Sequence, residues 1–167
     1  TFLVGEIMIR YCNKCKKEIE TEVIFRKEIY EVLGEDIEVD SQILTCSECG
    51  NNFYYEDFDK VTLLIAYNKY RKKHNLLFPI EIESIRRMYC LSQINFAKLL
   101  NWSDKAIRKY ESGTIQSKEH NDLLVYLKDP RNMKSYLLKN KVNLDEKTLD
   151  KLTYLVDRLI LKLWIVI

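Results

Sequence analysis

Apolar residues recur at steps of three and four through most of the chain beyond residue 59, the spacing of helices that bury one face. Val61, Leu64 and Ile65 form the first such group and predict a helix that reaches about Arg71. Pro79 suits the first position of another helix, because its fixed φ is compatible with helical geometry. The inward positions expected of this and later helices are Ile82, Ile85 and Tyr89, then Leu123, Leu124 and Leu127, then Met133, Tyr136 and Leu137. Ser117 can cap the helix with Leu123, and Asp129 followed by Pro130 can cap the helix with Met133. We therefore expect this part of the chain to be all-helical.

Between Leu91 and Gly113, the capping residues, the turn residue and the apolar positions all fit one pair of short helices. Ser92 can cap a helix, and Asn101 stands where that helix must end in a left-handed residue, a geometry that Asn tolerates. Ser103 can cap a second short helix, which Gly113 closes. The inward positions are Phe96, Ala97 and Leu100 on the first helix and Ala106, Ile107 and Tyr110 on the second. Caps, turn and apolar positions in one register predict a helix-turn-helix unit.

The outward face of the second helix carries Asp104, Lys105, Arg108 and Lys109. A short helix that is apolar on one side and polar and basic on the other is suited to lie in the major groove of DNA and contact base edges. The alternative is a surface helix hairpin with no nucleic-acid role. The small Ala97, which lets two helices cross closely, favours the DNA-binding interpretation.

The carboxyl-terminal residues predict one long helix with a wide apolar stripe. Its seam positions recur at steps of three and four: Leu149, Leu152, Val156, Leu159, Leu163 and Val166. This is the pattern of a two-helix coil, so we expect a homodimer, which also suits two-fold DNA sites. Further apolar residues widen the stripe, and packing onto the protein's own core is the alternative.

Before residue 59 the pattern changes to short stretches with partial alternation. Glu22–Tyr30 and Ile37–Thr45 are rich in Val, Ile and Thr, and Gly34–Asp36 supplies a turn between them. The sequence therefore predicts a β-hairpin in this region.

Four of the five cysteines form two pairs with a two-residue gap, Cys12 with Cys15 and Cys46 with Cys49, the second followed by Gly50. Two such turns can present four thiolates to one ion at about 2.3 Å, which predicts one structural zinc in a zinc ribbon. Two disulfides or a redox-active pair are the alternatives. Disulfides need an oxidising compartment, and the redox motif expects one pair beside a βαβ unit.

Charge divides unevenly along the chain, although the whole carries only +2. Residues 1–58 contain 6 basic and 13 acidic side chains, a net −7, whereas residues 59–167 contain 21 basic and 12 acidic side chains, a net +9. A basic part suits a polyanion such as DNA. The acidic part suits a basic protein partner, or is a solvated surface that aids solubility. Its hairpin carboxylates are Glu18, Glu20, Glu22, Glu35, Asp36, Glu38 and Asp40.

These patterns together predict an α+β chain with three parts. Residues 1–58 would be a small zinc-ribbon domain, with Met8 as a candidate natural start, and residues 59–128 an all-α helix-turn-helix domain. Residues 129–167 would be a helical extension. The terminal run Leu159–Ile167 is too short to span a bilayer, and no secretory signal is evident, so we expect a cytoplasmic protein without a membrane segment.

The order of the two motifs resembles the MqsA (YgiT-type) antitoxins of bacterial toxin–antitoxin systems, which join a zinc domain to an XRE-type, lambda-repressor-like helix-turn-helix. The resemblance covers residues 8–130. It rests on the four cysteines with Gly50 and on three stretches of the helix pair, Leu91–Gln93, Phe96–Ala97 and Lys109–Gly113. It implies that the zinc domain binds and neutralises a ribonuclease toxin. It also implies that a dimeric carboxyl-terminal domain binds the operator and represses the operon.

Carried over by position, the resemblance implies base contacts from Lys105 and Lys109 and phosphate contacts from Ser92, Gln93 and Ser103. Two departures stand out. Asn101 replaces the usual Gly of the turn, and about 35 residues follow Pro130. That tail resembles a segment of longer relatives that join this module to a SocA-like domain.

Three functions compete: an antitoxin and repressor, a stand-alone XRE-type regulator with a purely structural zinc ribbon, and an enzyme. We expect no enzyme, because the chain has no glycine-rich phosphate loop and no paired acid and nucleophile. The residues that could have catalytic chemistry have simpler interpretations. His74 and His120 are expected at the surface, and Arg86 is expected on the solvent-facing side of its helix. Cys90 is expected to be a small buried hydrophobic residue.

Overall fold

The computed structural model describes residues 8–165, in which an antiparallel β-sheet is followed by seven helices. This confirms the predicted α+β class. The four strands are β1 (Ile9–Cys12), β2 (Lys17–Val32), β3 (Glu35–Cys46) and β4 (Asn52–Phe53). They pair antiparallel in the order β1-β2-β3-β4. Among the described helices, none is both long enough and apolar enough to cross a membrane.

The long hairpin of β2 and β3 closes through a two-residue turn. Val32 pairs with Glu35, and the turn residues Leu33 and Gly34 have φ values of 51° and 82°. Two successive positive φ angles are typical of a type I′ turn, whose twist matches that of the strands. The turn therefore lies one residue earlier than the predicted Gly34–Asp36, because Glu35 and Asp36 belong to β3.

The first helix, α1 (Glu56–Lys73), begins earlier than the apolar spacing predicts. Carboxylates in its first turn, where the helix dipole favours negative charge, explain the early start. Thr62 and Ala66 are buried, and Lys69 Nζ donates to the Glu38 carbonyl of β3 at 2.8 Å. The apolar residues of α1 that are exposed are Val61, Leu63, Leu64 and Ile65. The stripe whose spacing predicts this helix is thus on its exposed side.

By its internal packing the chain divides into two compact units, Thr1–Tyr70 and Arg71–Ile167. The division falls within α1, whereas the sequence places a boundary near Asp59, in the first turn of that helix. A continuous helix therefore runs through the position where the sequence predicts a linker.

The second unit is built from six further helices around one apolar core. They are α2 (Pro79–Met88), α3 (Gln93–Leu99), α4 (Ala106–Glu111), α5 (Lys118–Tyr126), α6 (Pro130–Lys139) and α7 (Glu146–Ile165). Ser92, Ser117 and Asp129 cap α3, α5 and α6 through side-chain oxygens that accept backbone N–H groups. Pro130 is the first residue of α6. The caps predicted for these three helices are confirmed.

The long helix α7 packs on the core of its own unit through part of the predicted seam. Leu152 and Val156 are 2% and 1% exposed, and Lys134 of α6 pairs with Asp157 of α7 at 2.8 Å. Leu163 is exposed, and Val166 lies outside the described residues. The seam is therefore divided between the core and the surface, and homodimer formation stays a prediction.

Candidate functional site

Four cysteine sulfurs converge at one end of the sheet. The Sγ atoms of Cys12 and Cys49 are 3.6 Å apart, those of Cys15 and Cys46 are 3.8 Å apart, and all four lie within 4.8 Å of one another. Four thiolates placed tetrahedrally at about 2.3 Å from an ion would be about 3.8 Å from each other. The predicted ligand set is therefore brought together in a geometry that can hold a metal ion.

Each cysteine pair occupies a tight turn that ends in a left-handed residue. Lys16 N–H donates to the Cys12 carbonyl at 2.7 Å, and Gly50 N–H donates to the Cys46 carbonyl at 2.9 Å. The φ angles of Lys16 and Gly50 are 57° and 67°, and Gly adopts this conformation without steric cost. Ile19 is buried beside Cys12 and Cys46 and gives the turns an apolar base. The backbone hydrogen bonds of the two turns thus direct the thiols toward one another.

The environment of the thiols shifts the pKa values of Cys12 and Cys15 in opposite directions. The backbone N–H of Cys15 donates to Cys12 Sγ at 3.5 Å and lowers the pKa of Cys12 to about 7. The pKa of Cys15 is raised to about 12, chiefly by its hydrogen bond with Cys49. A bound divalent cation would favour the thiolate form of each sulfur, so binding would release protons.

The helix pair α3 and α4 forms as the sequence predicts, apart from its second cap. Asn101 has φ 56°, and Trp102 N–H donates to the Ala97 carbonyl at 2.9 Å, closing α3 in a left-handed turn. Gly113 ends α4 with φ 111°. The most deeply buried members of the pair are Phe96, Ala97, Leu99 and Ile107.

The prediction that Ser103 caps the second helix is wrong. The helix α4 begins at Ala106, its N-cap residue is Lys105, and no side chain caps it. Ala106 N–H instead donates to the Ser103 carbonyl at 2.9 Å. A tight i to i+3 turn therefore precedes α4 and takes up the residues that would have formed its first turn.

The outward face of the pair is polar and basic. The predicted contact residues that are exposed are Ser92, Ser103, Asp104, Lys105, Arg108 and Lys109. Within the described range 8–165, Lys105, Arg108 and Lys109 take part in no ion pair. Several other exposed cations of this unit do have carboxylate partners: Arg87 with Glu83, Lys118 with Asp122, Lys128 with Glu81 and Lys134 with Asp157. The positive charge of α4 is left available to a ligand.

Glu111, at the end of α4, binds this helix to α2 and α3. Arg86 Nε and Nη2 donate to its two carboxylate oxygens at 2.6 and 2.9 Å, and Arg86 Nη1 donates to the Leu91 carbonyl at 2.9 Å. Gln93 Nε2 donates to Glu111 at 2.7 Å, so this predicted phosphate contact is engaged within the protein. The guanidinium and carboxylate side chains are only 12% and 8% exposed. The expectation that Arg86 lies outside is wrong, because its ion partner is distant in sequence.

His120 is also not a simple surface residue. Its ring stacks on Trp102 with centroids 3.7 Å apart, and its Nδ1 is 2.7 Å from the Tyr110 hydroxyl. Burial lowers the pKa of His120. A neutral imidazole can accept a hydrogen bond at Nδ1 from the Tyr110 hydroxyl. This bond and the stacking on Trp102 join α4 and the α3–α4 turn to α5. The sequence gives one signal of this cluster, namely aromatic residues where a short helix pair usually has aliphatic ones.

Cys90 is exposed and has φ 52°, so its expected burial is wrong. Its N–H donates to the Arg87 carbonyl, and Leu91 N–H donates to the Arg86 carbonyl. These two bonds form the left-handed termination of α2, which directs the side chain of its central residue to solvent.

The hairpin presents an apolar and acidic face that the sequence analysis missed. Phe25 and Ile29 of β2 are 69% and 68% exposed, and Val23 on the same face is also exposed. Two carboxylates of β3 lie across from this part of β2. Glu38 is the cross-strand partner of Ile29 and forms an ion pair with Lys27 at 2.7 Å, and Asp40 is the cross-strand partner of Lys27. The signal lay in β2, where both alternating sets contain large apolar residues and one set must therefore remain exposed.

No protein-family model matches this chain, and no curated protein matches it at a significant level. The resemblance to the MqsA antitoxins therefore stays a prediction from the residues that carry it.

Proposed function

We propose that this protein is a DNA-binding regulator that reads a specific duplex site with α4. The observation that carries the proposal is the outward face of that helix, on which Lys105, Arg108 and Lys109 are exposed and take part in no ion pair with another described residue. Cations that have no internal partner need not break an ion pair when they bind phosphates or base edges. The six-residue helix α4 packs on the core through the buried Ile107, so it can present these side chains to a major groove.

In this proposal the two helices have different tasks. Lys105 and Lys109 contact base edges, where a lysine donates to the O6 and N7 acceptors of guanine. Ser92 and Ser103 contact phosphates and set the position of the duplex. Glu111 does not contact DNA, because its carboxylate is saturated by Arg86 and Gln93 and would repel phosphate. Its task is to hold α4 at a fixed angle.

A binding-site selection from random duplexes, followed by titration of the selected site, tests the proposal. Lys105→Ala and Lys109→Ala should each weaken specific binding by about 1–3 kcal/mol and relax the base preference. Lys118→Ala is the matched control, because that lysine is exposed but paired with Asp122 on α5. A double Lys105→Ala, Lys109→Ala variant that binds the selected site as tightly as the parent chain would refute the groove assignment.

We propose that the ion held by the four cysteines is one structural zinc. Four thiolates fill a tetrahedral shell and leave no position for water or substrate, so the proposal assigns no catalytic step to the chain. Zinc is the common ion of such sites, and the free thiols suit the reducing cytoplasm in which we place the protein.

The exposed hairpin face supports a second function, that of an antitoxin in a type II system that binds a basic toxin and represses its own operon. Large apolar residues beside the carboxylates of Glu38 and Asp40 suit a basic protein surface. A four-thiolate zinc site would add about two negative charges to this acidic part. The alternative is a stand-alone XRE-type regulator in which the zinc ribbon is purely structural.

Co-expression with the neighbouring gene's product separates these two functions. If the chain is an antitoxin, a small basic protein should co-purify with it, and Phe25→Asp should abolish the association. Leu138→Asp is the control, because Leu138 is an equally exposed apolar residue in the other unit. Absence of any co-purifying toxin would favour the stand-alone regulator. Loss of the association in the Leu138→Asp control alone would overturn the assignment of toxin binding to the hairpin face.

We also propose a homodimer, because two-fold proteins match two-fold operators. The exposed Leu161 and Leu163 near the end of α7 are the residues assigned to the contact. Sedimentation equilibrium should show a dimer that Leu163→Glu converts to a monomer. A chain that sediments as a monomer at all concentrations would contradict the assignment.

A further inference from the structure

The surface of α7 divides into a basic and an acidic flank. Basic residues recur at steps of four, seven and four, which keeps them on one side of the helix: Lys147, Lys151, Arg158 and Lys162. The acidic residues Glu146, Asp150 and Asp157 recur at steps of four and seven, one position earlier. One residue is a rotation of about 100° in an α-helix, so the two sets lie on separate flanks.

Contacts within the second unit show which way each flank faces. Asp157 on the acidic flank pairs with Lys134 of α6 at 2.8 Å, so this flank lies toward α6. On the other side of α7, Thr148 and Lys151 line a groove together with Leu91 and Asn95. The basic flank therefore lies beside the start of α3.

The connection between α6 and α7 follows the same path along the helix pair. Asn101 Nδ2, in the turn between α3 and α4, donates to the Lys141 carbonyl at 3.1 Å. Lys141 is itself exposed. The chain thus passes the α3–α4 turn at Lys141 and the start of α3 at Lys151, which places one exposed cation near each end of α3.

None of these α7 cations is neutralised by the part of the protein that the structure describes. Lys147, Lys151, Arg158 and Lys162 are exposed and belong to no ion pair among residues 8–165. Tyr154, 68% exposed, projects between Lys151 and Arg158 on the same flank. An unpaired row of cations with an interleaved aromatic is suited to a polyanionic backbone, because neutralising phosphates releases their condensed counterions.

We propose that the basic flank of α7 binds the phosphate backbone of the same duplex that α4 reads, beyond the stretch that the helix pair covers. This inference rests on the proposed DNA-binding function and extends its footprint. The flank contributes affinity and salt dependence without sequence preference, since phosphate contacts position a protein but carry no base information. The carboxyl-terminal segment is then a second DNA-contacting element as well as a packing element.

The test is the salt dependence of binding by the full chain to a long random-sequence duplex, measured by fluorescence anisotropy. The slope of log K against log salt is negative, and the double variant Lys147→Gln, Lys151→Gln should reduce its magnitude by about 1.8, or about 0.9 for each lost phosphate contact. Arg158→Gln alone should lower it by about 0.9. The control is Lys118→Gln, Lys134→Gln, which removes two exposed lysines that already have carboxylate partners.

The outcomes separate the inference from the function on which it rests. If the slope falls in the α7 variants but not in the control, and the preference for the selected site over random DNA is unchanged, the inference is supported. If the parent chain binds DNA and the α7 variants have its slope, or if the control falls equally, the inference is overturned while the α4 proposal stands. If the parent chain binds no duplex at all, both are overturned.

Discussion

The ion pair between Arg86 and Glu111 allows a quantitative test of how the helix pair is held. Glu111→Leu removes an acceptor of three hydrogen bonds and takes the main counter-ion from the guanidinium, which is 12% exposed. The remaining carboxylate, Glu83, is 3.8 Å from Arg86 Nη2 and also pairs with Arg87. Arginine stays protonated in proteins, so the positive charge of Arg86 remains after Glu111 is replaced. Breaking a buried pair from one side costs about 3–5 kcal/mol, and the slight exposure here favours about 3 kcal/mol.

The double variant Arg86→Met, Glu111→Leu should be more stable than Glu111→Leu alone. It removes the uncompensated charge and replaces both side chains by apolar groups of similar length, which is often neutral for a buried pair. Two costs remain, because the Leu91 carbonyl loses the N–H that Arg86 donates and Gln93 Nε2 loses its acceptor on Glu111. We expect a loss of about 1 kcal/mol for the double variant, and hence a coupling energy of about 2 kcal/mol or more.

Urea denaturation followed by Trp102 fluorescence, in a Trp164→Phe background, measures the free energy of unfolding of this unit. Trp102 is a suitable reporter because its ring lies against His120 in the same unit. Two results would contradict the reasoning: a loss below about 1 kcal/mol for Glu111→Leu, or a double variant whose loss equals the sum of the two single losses.

Three further predictions concern the metal centre and the aromatic cluster. Cys46→Ser should lose the metal and unfold the sheet end while the second unit keeps its helices, because metal binding free energy is folding free energy in so small a domain. Metal analysis would show the first effect and circular dichroism the second. A full equivalent of retained metal would contradict the prediction. Gly50→Ala should cost about 1 kcal/mol through backbone strain alone, since an added Cβ meets nothing within 4 Å but φ is +67°, and Gly50→Asn should cost less in the same thermal melt. For His120, whose pKa is lowered, the unfolded chain binds more protons just below its ordinary value of about 6.5, so stability should fall as pH drops through that window. Melts of His120→Phe should show a smaller fall, and an equal fall would exclude His120 as its source.

Local backbone features were the most predictable part of this protein. The left-handed Asn101, the end of α4 at Gly113 and the caps Ser92 and Ser117 were all identified from sequence. The cysteine cluster belongs to the same group, since the two-residue gap fixes each half-site. Such features depend on hydrogen bonds and steric limits within a few residues, so the nearby sequence contains the information needed.

The burial of particular faces was less predictable. Val61, Leu64 and Ile65 have the spacing of an inward stripe, yet Thr62 and Ala66 are the buried residues of α1. An apolar spacing shows that a helix has a preferred side, but the neighbours available to that helix decide which side is covered. The hairpin face with Phe25 illustrates the same limit for a strand with apolar residues on both sides.

By itself the sequence determined which residues end helices, which thiols share a turn, and where charge of each sign is concentrated. Only the tertiary structure decided that Arg86 is paired, that Cys90 is exposed and that His120 lies in an aromatic stack. The partner of Arg86 is 25 residues away along the chain, and the ring that stacks on His120 belongs to the α3–α4 turn. The reason is physical: a local pattern specifies backbone conformation, whereas ion pairs and ring contacts form between groups that become neighbours only when the helices pack.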